Sequence, residues 1–358
     1  MKVGIVIPTL ADGDAVGHDA IGMAKHIRGR GIPVSFFVTR STSTEPTHPM
    51  DDLPVAFTSP DDVLIYHHSI GFEPGVRAVE RLPARRKAVK YHNVTPPQFF
   101  KGLNAEVKRA CEDGIAQVKR LADTPAKIWA DSEYNGEHVR SFRPGRAYDV
   151  IPPFHHADDL LTLEPDYRAV SGLDDWATTI LLVGRIVPNK NVPLAIAAFA
   201  DYRRRFDRHA RLVIAGDQPV PEHAKEIREC VTKLGQDGHV FVTGKVSAAQ
   251  LKALYLTADV LLVTSLHEGF CVPLIEAMGL RVPVVAVPNA AVPYTGGDVL
   301  WYADGEPAKL ATQIDAVLTD PVEREKQTHA GWRRYDGTFT NRAIEQRFAG
   351  LFDELLDG

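Results

Sequence analysis

Short apolar runs rich in β-branched residues alternate along this chain with longer segments in which apolar residues recur every three or four positions. The runs are almost continuously apolar, which is typical of strands covered on both faces. The longer segments, such as residues 18–31 and 193–206, have the spacing of helices with one buried side. Strands are predicted at residues 3–7, 34–38, 63–67, 87–91, 127–130, 179–184, 211–216, 240–244, 259–264 and 283–287.

This alternation of strand and helix indicates parallel sheets with helices on both faces. It occurs in two series, which are separated by a polar segment, residues 152–177, that lacks a clear period. We therefore predict an α/β protein with two doubly wound domains, one over residues 1–165 and one over residues 170–338. A last helical segment, residues 341–356, follows the second series.

Composition and charge argue against several classes of protein, among them nucleic-acid-binding, zinc-binding, secreted and membrane-spanning proteins. A length of 358 residues suits two domains, and a net charge of -5 argues against nucleic acid as a partner. The three cysteines lie far apart without a CxxC pair, which fits a reducing cytoplasm and offers no zinc site. The N-terminal run resembles a first strand rather than a signal peptide, and no apolar run approaches the roughly 18 residues of a membrane span.

Two glutamates follow the predicted strand at 259–264, in the stretch 264-TSLHEGFCVPLIEAMGLRVPVVAV-287. Proline suits the first helical position, so a helix is predicted to begin near Pro273. Glu268 then lies in the strand-to-helix loop and Glu276 in the first helical turn. Both carboxylates, with the amides of residues 269–273, can bind a ligand at the carboxyl end of the sheet. A carboxylate that only complements the helix dipole is the alternative for Glu276.

A second polar set follows the predicted strand at 179–184. Gly184 allows close backbone approach, and Arg185 and Lys190 bring two positive charges beside another helix start. Charge neutralisation together with amide donors is what a diphosphate requires. Either basic residue alone is more simply an ordinary surface charge. The segment contains neither a P-loop nor a GxGxxG motif, which disfavours a nicotinamide-dependent dehydrogenase.

These two sets together resemble the retaining nucleotide-sugar glycosyltransferases of family 4. The segment EGFCVPLIEAMGLRVPVVAV is similar to that family's EGFGLPxLEAMAxGxPVVA. The resemblance covers the second half of the chain well and the first half in layout. It implies the GT-B fold, in which two doubly wound parallel-sheet (Rossmann-like) domains face a central cleft and the final helix, residues 341–358, returns to the first domain.

The resemblance also implies roles for the matching residues. Glu276 would hold the nucleotide ribose, Glu268 the donor sugar, and Arg185 with Lys190 the diphosphate. His92 would face the transferred sugar, although the residues alone leave His67 and His68 as alternatives. The further nucleotide-sugar contacts would be Gly184, Gly269, Phe270, Cys271, Val272, Lys245, Val246, Gly13 and Gly17.

Three departures from the family pattern affect this site. Cys271 replaces the common second glycine, Asn191 stands where glycine often follows the lysine, and residues 293–295 read Pro-Tyr-Thr where Pro-Glu is common. The resemblance implies no metal or other cofactor. Asp12-Gly13-Asp14 matches the DxD metal motif of a different glycosyltransferase fold, and His155-His156 with Asp158-Asp159 lacks a convincing ligand spacing, so neither is expected to bind a metal.

The expected function is transfer of a hexose from a UDP- or GDP-hexose to a hydroxyl acceptor with retention, in envelope polysaccharide or glycolipid synthesis. A lipid-linked glycan acceptor is favoured, and the basic stretch 77–90 is either a solvated surface or a contact with anionic membrane lipid. A small soluble acceptor is the alternative. An epimerase or a non-catalytic nucleotide-sugar-binding subunit are further alternatives. The sequence does not distinguish the nucleotide, the hexose or the acceptor.

Overall fold

A computed structural model describes residues 1–11, 13–170 and 178–357 of the chain. The chain divides into two compact units. Unit 1 comprises Met1–His156 and Phe339–Gly358, and unit 2 comprises Ala157–Thr338.

Unit 1 is built on a parallel sheet of seven strands in the order β5-β3-β1-β6-β7-β8-β9, and a short pair, β2-β4, lies beside it. The chain therefore adds strands outward from β1 in one direction and then returns to add β6 and its successors on the other side. The strands are β1 Val3–Val6, β2 Thr9–Leu10, β3 Val34–Val38, β4 Arg40–Ser41, β5 Thr47–Pro49, β6 Val63–His68, β7 Arg86–Tyr91, β8 Lys127–Ala130 and β9 Asp149–Val150.

Helices cover both faces of this sheet because its strand residues alternate between two apolar cores. Leu64 and Tyr66 of β6 point into one core, whereas Val63 and Ile65 point into the other. The helices of this part of the chain are α1 Ala15–Gly29, α2 Leu53–Ala56, α3 Glu73–Arg81, α4 Ala105–Asp123 and α5 Glu133–Phe142.

Unit 2 is built on a parallel six-stranded sheet in the order β12-β11-β10-β13-β14-β15. Its strands are β10 Thr178–Val183, β11 Ala210–Ala215, β12 Val240–Gly244, β13 Val260–Val263, β14 Val284–Ala286 and β15 Trp301–Tyr302. Numbered from β10, this is the order 3-2-1-4-5-6 of a doubly wound nucleotide-binding fold. The switch point of the topology lies between the neighbours β10 and β13.

The helices of unit 2 pack on both faces of that sheet, and the last helix of the chain belongs to unit 1. The helices of unit 2 are α6 Ala157–Thr162, α7 Val192–Arg205, α8 Pro221–Lys233, α9 Ala248–Thr257, α10 Val272–Gly279, α11 Val292–Gly296, α12 Pro307–Thr319 and α13 Pro321–Arg334. The last helix is α14 Asn341–Asp357. In unit 1, α14 packs its buried Phe348 against Trp129 of β8, and Glu345 is hydrogen-bonded to His26 of α1 at 3.0 Å.

The predicted α/β architecture of doubly wound parallel sheets is confirmed, and every predicted strand is present with its ends within one residue. The strands that the pattern missed are β2, β4, β5, β9 and β15, which are only two or three residues long and mostly lie at sheet edges. Residues 157–165 differ from the predicted division, because α6 packs against α10 and therefore lies in unit 2. Residues 171–177 of the predicted join lie outside the described residues.

Candidate functional site

The two polar sets that the sequence singled out meet at the switch point of unit 2. Lys190 follows β10 and Glu268 follows β13, and these two strands are neighbours in the sheet. Nζ of Lys190 lies 2.6 Å from Oε1 of Glu268. Parallel strands end at the same edge of a sheet, so residues far apart in sequence come together there.

The Lys190–Glu268 ion pair is mostly shielded from water, but both side chains keep some exposed surface. The two side chains are 15% and 10% exposed. Burial lowers the pKa of Lys190, but the charge of Glu268 and its hydrogen bond act in the opposite direction, and the pKa lies above its ordinary value of 10.5. The hydroxyl of Ser265 donates a second hydrogen bond to Oε1 of Glu268, at 2.6 Å. Glu268 is therefore held in place by a cation and a hydroxyl group.

Backbone and amide hydrogen bonds join the two loops that carry this pair. The Asn189 side chain donates to the carbonyl of His267 at 3.0 Å, and the Leu266 amide donates to the carbonyl of Asn189 at 2.8 Å. The Thr264 hydroxyl donates to the carbonyl of Lys190 at 3.1 Å. The loop after β10 and the loop after β13 thus form one connected unit.

Glu276 lies in α10, whose first helical residue is Val272, and the first turn contains no acidic side chain. The prediction that Glu276 occupies the first turn is therefore wrong by one residue. The simple helix-dipole explanation loses its basis, since that effect falls off beyond the first turn. Glu276 instead accepts a hydrogen bond of 2.7 Å from the hydroxyl of Tyr255, which is completely buried.

Glycine is required where the loops after β10 and β11 touch. A Cβ atom added to Gly216 would lie 1.8 Å from the carbonyl oxygen of Gly184, and Gly184 itself has a φ of 140°. Asn191, which stands where the family often has glycine, adopts a left-handed conformation with a φ of 51°, and asparagine tolerates that region. Arg185 is exposed, and its charge opposes the rise in the pKa of Lys190.

Cys271 adopts a left-handed φ of 76° at the start of α10. A side chain at this φ is strained, so the replacement of the family glycine does have a backbone cost. Phe270 is buried, and its carbonyl accepts a 2.6 Å hydrogen bond from Thr295, one of the residues that replace the Pro-Glu of the family. Gly269 precedes this pair and Val272 opens the helix.

The remaining predicted contacts of unit 2 lie at the next strand ends along the sheet. Lys245 and Val246 follow the edge strand β12, where Lys245 is exposed and Val246 is half-buried. The amide of Gly216 donates to the carbonyl of Gly244 at 3.1 Å, which joins this loop to the one after β11.

In unit 1, Gly13 and Gly17 flank the start of α1. Gly13 has a φ of 88°, and a Cβ atom at Gly17 would lie 2.7 Å from the carbonyl oxygen of Ala11. Asp14 caps the helix by accepting from the Gly17 amide at 3.3 Å, so the second aspartate of the DxD match has a local structural function. Asp12 lies outside the described residues.

The three candidate histidines have different surroundings. His68 is fully buried and bonds Tyr66 and the Gly114 carbonyl, which is a structural position. Nε2 of His92 lies 2.9 Å from Nδ1 of His67. Nδ1 of His92 donates to Asp131 at 2.9 Å. Both ring nitrogens of His92 are therefore engaged within unit 1, so a contact with a sugar requires one of these bonds to open.

A buried lysine completes this histidine cluster. Nζ of Lys90, whose side chain is fully buried, lies 2.5 Å from Asp131 and 3.8 Å from Asp19. Asp19, His67 and His92 offer ligand atoms within 4.8 Å of one another, so they are a conceivable metal-binding group. However, Lys90 already supplies a positive charge beside the same Asp19 oxygen, and a divalent cation would be repelled by it.

The basic stretch 77–90 is partly exposed, because Arg77, Arg81 and Arg85 face solvent whereas Lys90 does not. Glu73 pairs with Arg77 and with Arg120 of α4. Glu80 pairs with the same Arg120, and Lys90 is buried. Among the described residues, no helix is long and apolar enough to cross a membrane.

Pattern analysis missed the residues that hold the predicted site in place. Ser265 was inside the quoted stretch, three residues before Glu268, which is a spacing that one loop can close. Tyr255 stands in an apolar helix, where its hydroxyl group needs a buried partner. Asp131 directly follows strand β8, and Lys90 is the second-last residue of strand β7. Both therefore lie at strand ends, and Lys190 and Glu268 likewise follow strands of unit 2.

Comparisons with known proteins relate this chain to glycosyltransferases in sequence and in fold. The family Glycosyl transferases group 1 matches residues 164–334. The chain is 23% identical over 312 residues to a lipopolysaccharide 1,2-N-acetylglucosaminetransferase of Salmonella typhimurium, covering 83% of this chain and 75% of that protein. It is 30% identical over 196 residues to alpha-maltose-1-phosphate synthase of Mycobacterium tuberculosis, covering 51% of this chain and 50% of that protein.

The chain thus spans about half the length of several curated relatives that it matches. Among solved structures, it resembles Anabaena HepE in complex with UDP-glucose, with a TM-score of 0.74 and 17% identity over 99% of this chain and 100% of that one. This likeness supports the GT-B fold. Residues 164–334 therefore match the glycosyltransferase group 1 family, and the chain has a GT-B-type fold of two Rossmann-like domains.

Proposed function

We propose that this chain transfers a hexosyl group from a UDP- or GDP-hexose to a hydroxyl acceptor with retention of configuration. The contact between Lys190 and Glu268 at the switch point carries the proposal. It brings a cation suited to a diphosphate against a carboxylate suited to sugar hydroxyls. The bond between a nucleotide diphosphate and its sugar lies between two such groups.

The proposed reaction breaks the bond between the anomeric carbon and the diphosphate oxygen. Arg185, Lys190 and the loop amides stabilise the leaving diphosphate electrostatically, without a metal. Glu268 orients the donor sugar, and Glu276 binds the ribose. The acceptor hydroxyl attacks the same face of the sugar, and a leaving phosphate oxygen takes its proton. His92 contacts the transferred sugar through Nε2, after the bond to His67 opens.

The acceptor is proposed from the relatives. One relative is named lipopolysaccharide 1,2-N-acetylglucosaminetransferase and another is named alpha-monoglucosyldiacylglycerol synthase, which favours an envelope glycan or glycolipid. The protein would then work in the cytoplasm, at the inner face of the membrane. A small soluble acceptor is the second candidate, since a further relative is named D-inositol 3-phosphate glycosyltransferase.

A donor and acceptor panel tests the proposal. UDP- and GDP-hexoses are incubated with membrane lipid extract or soluble sugars, with and without EDTA, and the product is analysed by proton NMR. We expect one donor to yield an α-linked product from an α-linked donor, unaffected by EDTA. Conversion of a donor without any acceptor would favour an epimerase instead. Donor binding without transfer across the panel would indicate a non-catalytic subunit.

A further inference from the structure

Tyr255 is a buried polar side chain that the proposed reaction does not use. It lies in α9, near its C-terminal end, with a completely buried side chain. Its hydroxyl group lies 2.7 Å from Oε2 of Glu276 and 3.4 Å from the carbonyl oxygen of Pro273. A single hydroxyl group therefore contacts both the start of α10 and the carboxylate on its next turn.

The position of this hydroxyl group is fixed by its helix. Ser247 and Gln250 form a capping box that defines the start of α9. The Thr257 hydroxyl bonds to the carbonyl of Ala253 within the last turn. Because the ring is enclosed on all sides and has two rotatable bonds, the hydroxyl group is presented to Glu276 with little freedom.

The chemistry of the pair is that of a permanent donor and an acceptor. Burial raises the pKa of Tyr255 well above its ordinary value, and the charge of Glu276 raises it further. The phenol thus keeps its proton, and the hydrogen bond to the Glu276 carboxylate is charge-assisted. Glu268 is held in a similar way by the hydroxyl of Ser265. Each of the two glutamates thus has its own buried hydroxyl donor.

We propose that Tyr255 is a positioning residue that orients the Glu276 carboxylate toward the ribose hydroxyls of the donor nucleotide. A carboxylate that is oriented before binding loses less rotamer freedom when the ligand arrives. Tyr255 would thereby set the preference of the site for a ribonucleotide over one that lacks ribose hydroxyls. This inference rests on the proposed ribose-binding role of Glu276.

The test compares binding of UDP and GDP with that of their 2′,3′-dideoxy forms, by calorimetry, in the wild type and in Tyr255→Phe. For the nucleotide that binds, we expect the wild type to favour the ribose form. Tyr255→Phe should weaken that form about tenfold, which corresponds to about 1.4 kcal/mol. Binding of the dideoxy form should remain unchanged. A merely structural role for Tyr255 would weaken both forms alike.

Glu276→Ala, alone and combined with Tyr255→Phe, tests whether Tyr255 acts through Glu276 or through the stability of the fold. In the Glu276→Ala background, loss of the Tyr255 hydroxyl should have no further effect on binding, because interacting residues are not additive. Tyr202→Phe removes a hydroxyl from another buried tyrosine of unit 2 and is the matched control, with binding expected as in the wild type. Thermal unfolding of each variant establishes that it is folded.

The outcomes distinguish this inference from the proposed function. If Tyr255→Phe keeps the full preference for the ribose form while Glu276→Ala loses it, Tyr255 does not position Glu276 and the ribose role stands. If the wild type and Glu276→Ala bind both forms equally well, the ribose role of Glu276 fails, and the inference about Tyr255 fails with it. Equal weakening of both forms in Tyr255→Phe also overturns the inference.

Discussion

Unit 1 and unit 2 each place a lysine–carboxylate pair at the carboxyl end of a doubly wound sheet, but the two pairs differ in access. In unit 1, Lys90 and Asp131 are 0% and 5% exposed, and Lys90 belongs to strand β7 itself. In unit 2, Lys190 and Glu268 are 15% and 10% exposed, and both lie in loops. The pair of unit 1 is thus almost fully enclosed (the closed pair), whereas the pair of unit 2 is partly exposed (the open pair).

This difference in exposure indicates that the lysine–carboxylate pair has a structural role in unit 1 and a different role in unit 2. Lys90 is surrounded by Asp131, Asp19 and the Ile151 carbonyl, so its donors are used inside the unit. Such a pair supports the fold, and removal of one member leaves a buried charge behind. Under the proposed function, the pair in unit 2 would exchange partners, because the donor diphosphate would replace the Glu268 carboxylate at Lys190.

The largest loss of stability is expected from a substitution that breaks the closed pair of Lys90 and Asp131. Lys90→Met leaves Asp131 and Asp19 buried without their cation, and we expect a loss of about 3–5 kcal/mol in the free energy of unfolding. Urea denaturation measures this loss. Lys190→Met is the matched control in unit 2 and should lose markedly less, because water reaches its pair. Equal losses would contradict the distinction between a closed and an open pair.

Turnover, unlike stability, should depend mainly on the open pair of Lys190 and Glu268. We expect Lys190→Met to lower kcat about 100-fold or more, as removal of one donor from a leaving-group site does in other enzymes. Glu268→Gln should also lower turnover while the chain stays folded. Initial rates with the donor that the panel identifies measure both effects. Full activity of Lys190→Met would remove the diphosphate role from the open pair.

Acid should destabilise unit 1 through its histidines. Burial lowers the pKa of His68 to about 4 from an ordinary value of 6.5. Between these values the unfolded chain binds a proton that the folded chain does not, so this contribution to stability is complete above pH 6.5 and is lost as the pH falls toward 4. The expected loss is up to about 3 kcal/mol, since one pKa unit corresponds to about 1.4 kcal/mol.

Unfolding free energies measured from pH 7 to 4 test this expectation. His68→Gln should flatten the pH dependence, whereas His329→Gln, at an exposed histidine of unit 2, should leave it as in the wild type. An unchanged slope in His68→Gln would show that other groups govern the acid response.

The smallest expected effect concerns Cys271. Glycine relieves the left-handed strain of about 1–2 kcal/mol but gains freedom in the unfolded chain, so Cys271→Gly should change the free energy of unfolding by less than about 1 kcal/mol. Turnover should be retained, because the loop keeps its conformation. A large loss of stability would show that packing of the buried thiol outweighs the backbone strain.

Sequence patterns predicted the main strands because a sheet covered on both faces requires continuous apolar runs. They also identified Lys190 and Glu268, since each follows such a run and the topology brings the ends together. They placed Glu276 in the first turn of α10, although it lies one residue beyond that turn, because Pro273 proved to be the second helical residue rather than the first. Tyr255 and Lys90 were missed for a shared reason: each is a polar residue inside an apolar segment, and only the fold reveals its partner.

The hydrogen bonds from Asn189, Leu266 and Thr264 between the two site loops have a kinetic consequence. Lys190 and Glu268 are carried by a connected framework, so a donor meets both groups in place and orders no loop of this site as it docks. Association should then proceed without a slow rearrangement in unit 2. Differences in affinity among donor analogues would therefore be expressed mainly in how long each one stays bound.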